Sequence, residues 1–177
     1  MNQIILLQLL QNVLLALSAI LLCLTVWQDV ATRLISNRLT VAIAALGLLL
    51  RLLQGDVLYA LPCMVLIFIA AFSCWQMRWI GGGDAKLITA ASLLVPAHDM
   101  ALQLFAITLA GGVLALAMVA LRPLAAQYAL PSLSGRGTFA RIWRVEQWRL
   151  RHGGSLPYAA AITIGTLTCL LLEGWMS

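Results

Sequence analysis

Residues 78–89 read RWIGGGDAKLIT. A long apolar run ends just before this stretch and another starts straight after it. Gly81, Gly82 and Gly83 lead directly into Asp84, and Lys86 follows two residues later. The chain around it is 63% hydrophobic and only 10% charged, with a mean hydropathy of +0.99. Soluble domains carry about 25% charged residues. Too few polar side chains exist here to cover a water-facing surface, so the solvent is a bilayer. The quoted stretch is then a break between two membrane segments, and its carboxylate lies at the membrane edge.

Working outward from that break predicts an all-α membrane protein: one domain, residues 1–177, built as a polytopic bundle of six transmembrane helices. A crossing takes about 20 apolar residues. The segments that qualify are 4–28, 39–54, 57–76, 85–97, 100–121 and 157–176. The segment 85–97 reaches only about 20 Å at 1.5 Å per residue. Its ends therefore sit below the headgroups, or its neighbours thin the membrane. The first 28 residues do not read as a signal peptide. No Lys or Arg precedes the apolar run, which exceeds the ~7–15 residues of such a core.

Charge placement orients the bundle. Arg33 and Arg38 fall between the first two spans, and Arg78 and Lys86 between the third and fourth. Arg122, Arg136, Arg141, Arg144, Arg149 and Arg151 fall between the last two. The other side keeps Arg51 with Asp56, Asp99 and Glu173. By the positive-inside rule the loops at about 29–38, 77–84 and 122–156 are cytoplasmic and both termini face outward, in a multi-pass protein of the cell's inner (cytoplasmic) membrane. The net charge of +5 thus reflects topology rather than a nucleic-acid partner. Within the third loop, TFARIWRVEQWRLRHGG (138–154) mixes Phe139, Ile142, Trp143 and Trp148 with arginines. That mix predicts a basic amphipathic helix in the headgroup plane, either anchoring on anionic lipid or docking a partner. Cys23, Cys63, Cys74 and Cys169 show no metal or disulfide spacing. His98 and His152 lie on opposite sides, so no metal and no cofactor is expected.

Asp29 closes the first span and Asp84 opens the fourth, both on the cytoplasmic side. Ionisable groups at a bilayer edge are costly and point to function. Each also has a plain structural reading. Asp84 suits a helix N-cap, and Asp29 precedes Arg33 by four residues, the spacing of a helical ion pair. Lys86 points to another face than Asp84 and is expected to snorkel to the headgroups. Asn37 reads as the N-cap of the second span or as a shaper of the nearby loop. Pro157 suits a first helical position, and Tyr158 either joins an interfacial aromatic belt or lines a site.

Taken together, two carboxylates close in space share one proton near neutral pH. One then acts as base on a water while the other polarises a peptide carbonyl. Gly81, Gly82 and Gly83, without Cβ atoms, would give an extended peptide access and keep the segment mobile. The same pair equally suits a cation site.

Two motifs here resemble the type IV prepilin peptidases, a branch of the GxGD aspartic membrane proteases. In DVATRLISN, Asp29, Arg33, Ile35 and Asn37 fall on the family's first motif, with Ser36 in place of its proline. In GGGDAKL, Gly81, Gly83, Asp84, Lys86 and Leu87 match GxGDxKL. A weaker likeness is PYAAAITIG at Pro157–Gly165. The resemblance implies an aspartic endopeptidase with Asp29 and Asp84 as catalytic pair. Its substrate would be a prepilin, cut at the cytoplasmic membrane edge, typically after a glycine, to release a short basic leader while the apolar helix stays in the bilayer. The cysteine-bearing insert that N-methylates the new terminus in longer members has no counterpart here. The short form is similar to the peptidases of tight-adherence (Flp) pili and of archaeal preflagellins. The competing expectations are a non-enzymatic ion or proton carrier and a subunit of a pilus or secretion platform.

Overall fold

In the computed structural model, which describes residues 2–127 and 157–176, six helices follow one another. They are α1 (Asn2–Thr32), α2 (Asn37–Gln54), α3 (Val57–Gln76), α4 (Gly82–Ser92), α5 (Met100–Gln127) and α6 (Tyr158–Met176), with a 3₁₀ turn at Ala97–Asp99. Among the described residues four segments are long and apolar enough to cross a membrane: Gln3–Thr32, Asn37–Gln54, Val57–Gln76 and Ala97–Leu121. Tyr158–Leu172 is a shorter apolar helix. The outer faces of the bundle carry exposed Leu58, Phe105, Leu116 and Leu171, which only an apolar solvent accommodates. The predicted loop 122–156 starts later than expected, because α5 continues to Gln127. The amphipathic stretch 138–154 and His152 lie outside the described residues.

The fourth predicted span differs most from expectation. Residues 85–97 do not form one crossing helix. α4 has 11 residues, about 16 Å, and the chain then turns through buried Leu93, Leu94, Val95 and Pro96. A helix ending among buried apolar side chains leaves carbonyls that they cannot satisfy, and polar side chains from two neighbours fill that role. Gln103, fully buried on α5, donates to the Ala91 carbonyl at 3.0 Å and to Thr166 of α6 at 3.0 Å. Arg51, buried at the end of α2, donates to the Leu94 carbonyl at 3.3 Å and pairs with Asp56 at 2.9 Å. Arg51, the one basic residue on the predicted outer side, thus supports from inside the turn that closes α4.

The close approaches around α4 and α6 depend on glycine, as small residues at membrane helix interfaces do. A Cβ on Gly47 would lie 2.7 Å from the Leu93 Cβ, and one on Gly165 would lie 2.5 Å from the Ile107 backbone nitrogen. None of the four cysteines forms a disulfide.

Among the described residues two non-glycines sit in the left-handed region, Arg33 (φ 56°) and Arg78 (φ 61°), each just past a helix C-terminus. At the end of α3 the amides of Arg78 and Trp79 return to the carbonyls of Trp75 and Cys74, both at 2.9 Å. This is the Schellman arrangement, whose left-handed position usually carries glycine. Arg78→Gly is therefore predicted to stabilise the protein by about 1 kcal/mol net of glycine's greater freedom when unfolded. A raised unfolding midpoint in detergent would register it. Arg78→Ala keeps the Cβ and should show no gain.

Candidate active site

The last turn of α1 carries Asp29, and the α1–α2 connection folds back under it. α1 ends at Thr32, where the Arg33 amide bonds the Asp29 carbonyl at 2.7 Å in a left-handed turn. Arg33 thus stands one residue past the helix end, still four residues on from Asp29. Gln28 holds the returning chain by accepting from the Ser36 amide at 3.3 Å. Ser36 is the N-cap of α2, its hydroxyl accepting from the Arg38 amide at 3.3 Å. Asn37, expected as that cap, is the first helical residue instead. Its side chain is left to accept a bond from Lys86 Nζ at 3.1 Å. This bond ties the start of α2 to the start of α4, and Lys86 is itself exposed.

α4 begins at Gly82 with Gly81 as its cap, so Asp84 is the third helical residue rather than the N-cap. From there its carboxylate reaches back to the Gly81 amide, half of a capping box. The three glycines do not use their conformational freedom. Gly81 has φ −71°, and Gly82 and Gly83 are helical. They permit close approach instead. An added Cβ at Gly81 would meet the Asp84 carboxylate at 2.8 Å, at Gly82 the Trp75 indole nitrogen at 3.0 Å, and at Gly83 the Ile35 side chain at 3.2 Å.

Asp29 and Asp84 line one cavity of about 290 Å³, together with Arg33, Leu34, Ile35, Asn37, Gly81, Gly82, Gly83 and Lys86. Asp29 is buried, 6% exposed, and accepts from the Ala159 amide at 3.4 Å. That amide belongs to the first turn of α6, where unpaired backbone donors and the helix dipole favour a negative charge. At the mouth of α4, ahead of the apolar run, burial pushes the Asp84 carboxyl from 3.8 up to about 6, helped by the negative charge of Asp29. The Gly81 amide and the positive charge of Arg33 pull the other way. A carboxyl in this range holds or releases a proton under mild conditions, as a general acid requires.

Tyr158 is not among the residues lining this cavity. It is half-buried against the core, its ring close to Gly111 of α5 and within electrostatic reach of Asp84, while the next residue of α6 brings the Ala159 amide to Asp29. That amide and Gln28 were invisible to sequence reasoning, because a backbone donor has no residue type and Gln28 differs little from any polar residue at a helix end. Among the described residues no group of His, Cys, Asp and Glu is arranged to hold a metal.

A family model described as the type IV leader peptidase family matches residues 15–116, more than half of the chain and a range that includes both aspartates. No curated protein and no solved structure matches the chain.

Proposed function

The chain belongs to the type IV leader peptidase family, and on that premise we propose that it is a membrane-embedded aspartic endopeptidase with Asp29 and Asp84 as its catalytic pair. The substrate is a prepilin of the tight-adherence (Flp) kind. Its basic leader is removed at the cytoplasmic face of the inner membrane, after a glycine. In this reading all six apolar segments belong to the membrane-embedded domain, both termini lie outside, and α4 is the short central helix that the others shield from lipid.

The observation that carries the proposal is the shared cavity: two acids 55 residues apart in sequence, in unlike surroundings. Asp84, protonated up to about pH 6, donates to the carbonyl oxygen of the scissile amide. Asp29, beside the N-terminus of α6, takes a proton from the attacking water, whose oxygen bonds the carbonyl carbon. The resulting diol collapses as Asp29 returns its proton to the leaving nitrogen and Asp84 recovers one from a hydroxyl. The products are a leader with a new carboxyl end and a pilin with a new amine. Lys86 and Asn37 fix the spacing between the two acid-bearing segments, and Gly81 leaves room for the Asp84 carboxylate.

The test is cleavage of a prepilin-type substrate by the purified chain in liposomes, followed across pH. Raising pH through about 6 removes the Asp84 proton, so the rate should fall above it, approaching about tenfold per pH unit. Acidification should slow the reaction again as the second carboxylate takes up a proton, giving a bell-shaped profile. A rate that keeps rising through neutral pH would rule out Asp84 as the donor. Vesicles that pass protons or cations in a pH-dependent way, with no cut product, would support the carrier reading instead.

A further inference from the structure

A second cavity, of about 220 Å³, opens beside the first between α2, α3 and α4. Val41 and Ala44 line it from α2, Met64 and Phe68 from α3, and Ala90 from α4. The paired positions on α2 and on α3 are three or four residues apart, so the walls run along the helix axes. Val41 and Phe68 are 66% and 45% exposed, so the groove is open sideways to lipid. Its polar lining is confined to Lys86, Thr40 and Thr89. Lys86 lines the catalytic cavity as well, so the two spaces meet at that residue. Val41 and Ala44 lie beyond Asn37 along α2, about 6–10 Å deeper into the bundle.

We propose that this groove seats the first turns of the substrate's own apolar helix, an inference that rests on the peptidase reading above. An uncut substrate must pass without a break from the acid cavity at the membrane edge into the hydrocarbon. The groove starts where that cavity ends, at Lys86, and runs inward along α2 and α4. Its aliphatic and aromatic walls suit an apolar helix face, and Ala44 and Ala90 allow a second helix to come close. Another cavity lies elsewhere, among Asp56, Tyr59, Pro62 and His98, and has no lining residue in common with the acid site. Seating the helix here would set how far the scissile bond stands from Asp29 and Asp84, and so which bond is cut.

The test uses the full chain in membranes. A photoreactive phenylalanine analogue is placed at Val41 or Phe68, with Leu109 on α5 as the lipid-facing control, in an Asp84→Asn background that leaves substrate uncut. Adducts with the apolar helix of a co-expressed prepilin-type substrate are expected at 41 and 68 but not at 109. Equal labelling at all three positions, or labelling at the groove of lipid or a second copy alone, overturns the proposal. In the otherwise unaltered chain, Ala44→Phe fills the groove. It should raise KM for full-length substrate about tenfold, the scale of one lost apolar side-chain contact. An unchanged KM also overturns the proposal. If the unaltered chain does not cut the substrate at all, the peptidase reading fails first. If it cuts while the groove changes have no effect, only the groove assignment fails.

Discussion

Asparagine substituted for either Asp29 or Asp84 should lower the rate of leader removal by at least about a thousand-fold, while the protein stays inserted and abundant. Asparagine has nearly the same shape as aspartate and retains an acceptor oxygen. In Asp84→Asn the new side-chain oxygen would still accept from the Gly81 amide, and in Asp29→Asn from the Ala159 amide. Neither change opens a cavity, and Asp84→Asn removes a charge that burial disfavours, so folding should hold or improve. What is lost is the negative charge and, with it, the ability to give up or accept a proton. The double variant Asp29→Asn/Asp84→Asn should be no slower than either single one, because residues that act as a unit lose their joint effect at the first substitution. The measurement is initial rate in liposomes, normalised to inserted protein. Multiplicative losses in the double variant, or a single variant that keeps most of the rate, would refute a shared proton.

Gly165→Ala should destabilise the protein by about 2–4 kcal/mol, the largest effect expected from a single added methyl group. Its Cβ would stand 2.5 Å from the Ile107 nitrogen and 2.6 Å from the Ile107 Cα, both backbone atoms that no rotamer change can move. Ordinary carbon contacts need about 3.5–4.0 Å, so α5 and α6 must separate along their interface. The Gln103–Thr166 bond crosses that same interface, and the Ala159 amide that faces Asp29 sits at the start of α6. Activity should therefore fall along with stability. Gly112→Ala is the matched control, since its Cβ would meet nothing within 4 Å. There the gain in helix propensity predicts a rise of up to about 1 kcal/mol. Unfolding midpoints in detergent separate the two, and equal midpoints would mean that the α5–α6 contact is looser than its geometry requires.

Much of the site was legible because its chemistry resides in side chains of unusual type for their surroundings. A carboxylate after three glycines, in a chain with six acids, stands out wherever it folds. The same reasoning misjudged the neighbours of those acids. Ser36 and Asn37 both suit a cap, and only the fold of the loop onto Gln28 decided that Ser36 caps while Asn37 meets Lys86. Asp84 suits an N-cap as well, but Gly81 occupies that position and leaves Asp84 inside the first turn. The glycines read as sources of freedom and act by their lack of bulk, a distinction that depends on what each one faces.

From residue order alone came the helical class, the lipid solvent, and the two acids with the motifs around them, because hydropathy and charge act at each position whatever its distant neighbours. Tertiary structure alone decided that α4 is short and internal, that Arg51 and Gln103 satisfy its end, and that the Ala159 amide meets Asp29 across 130 residues. Those outcomes depend on which backbone groups are left without partners once helices pack, and that is a property of pairs of segments rather than of any one stretch of chain.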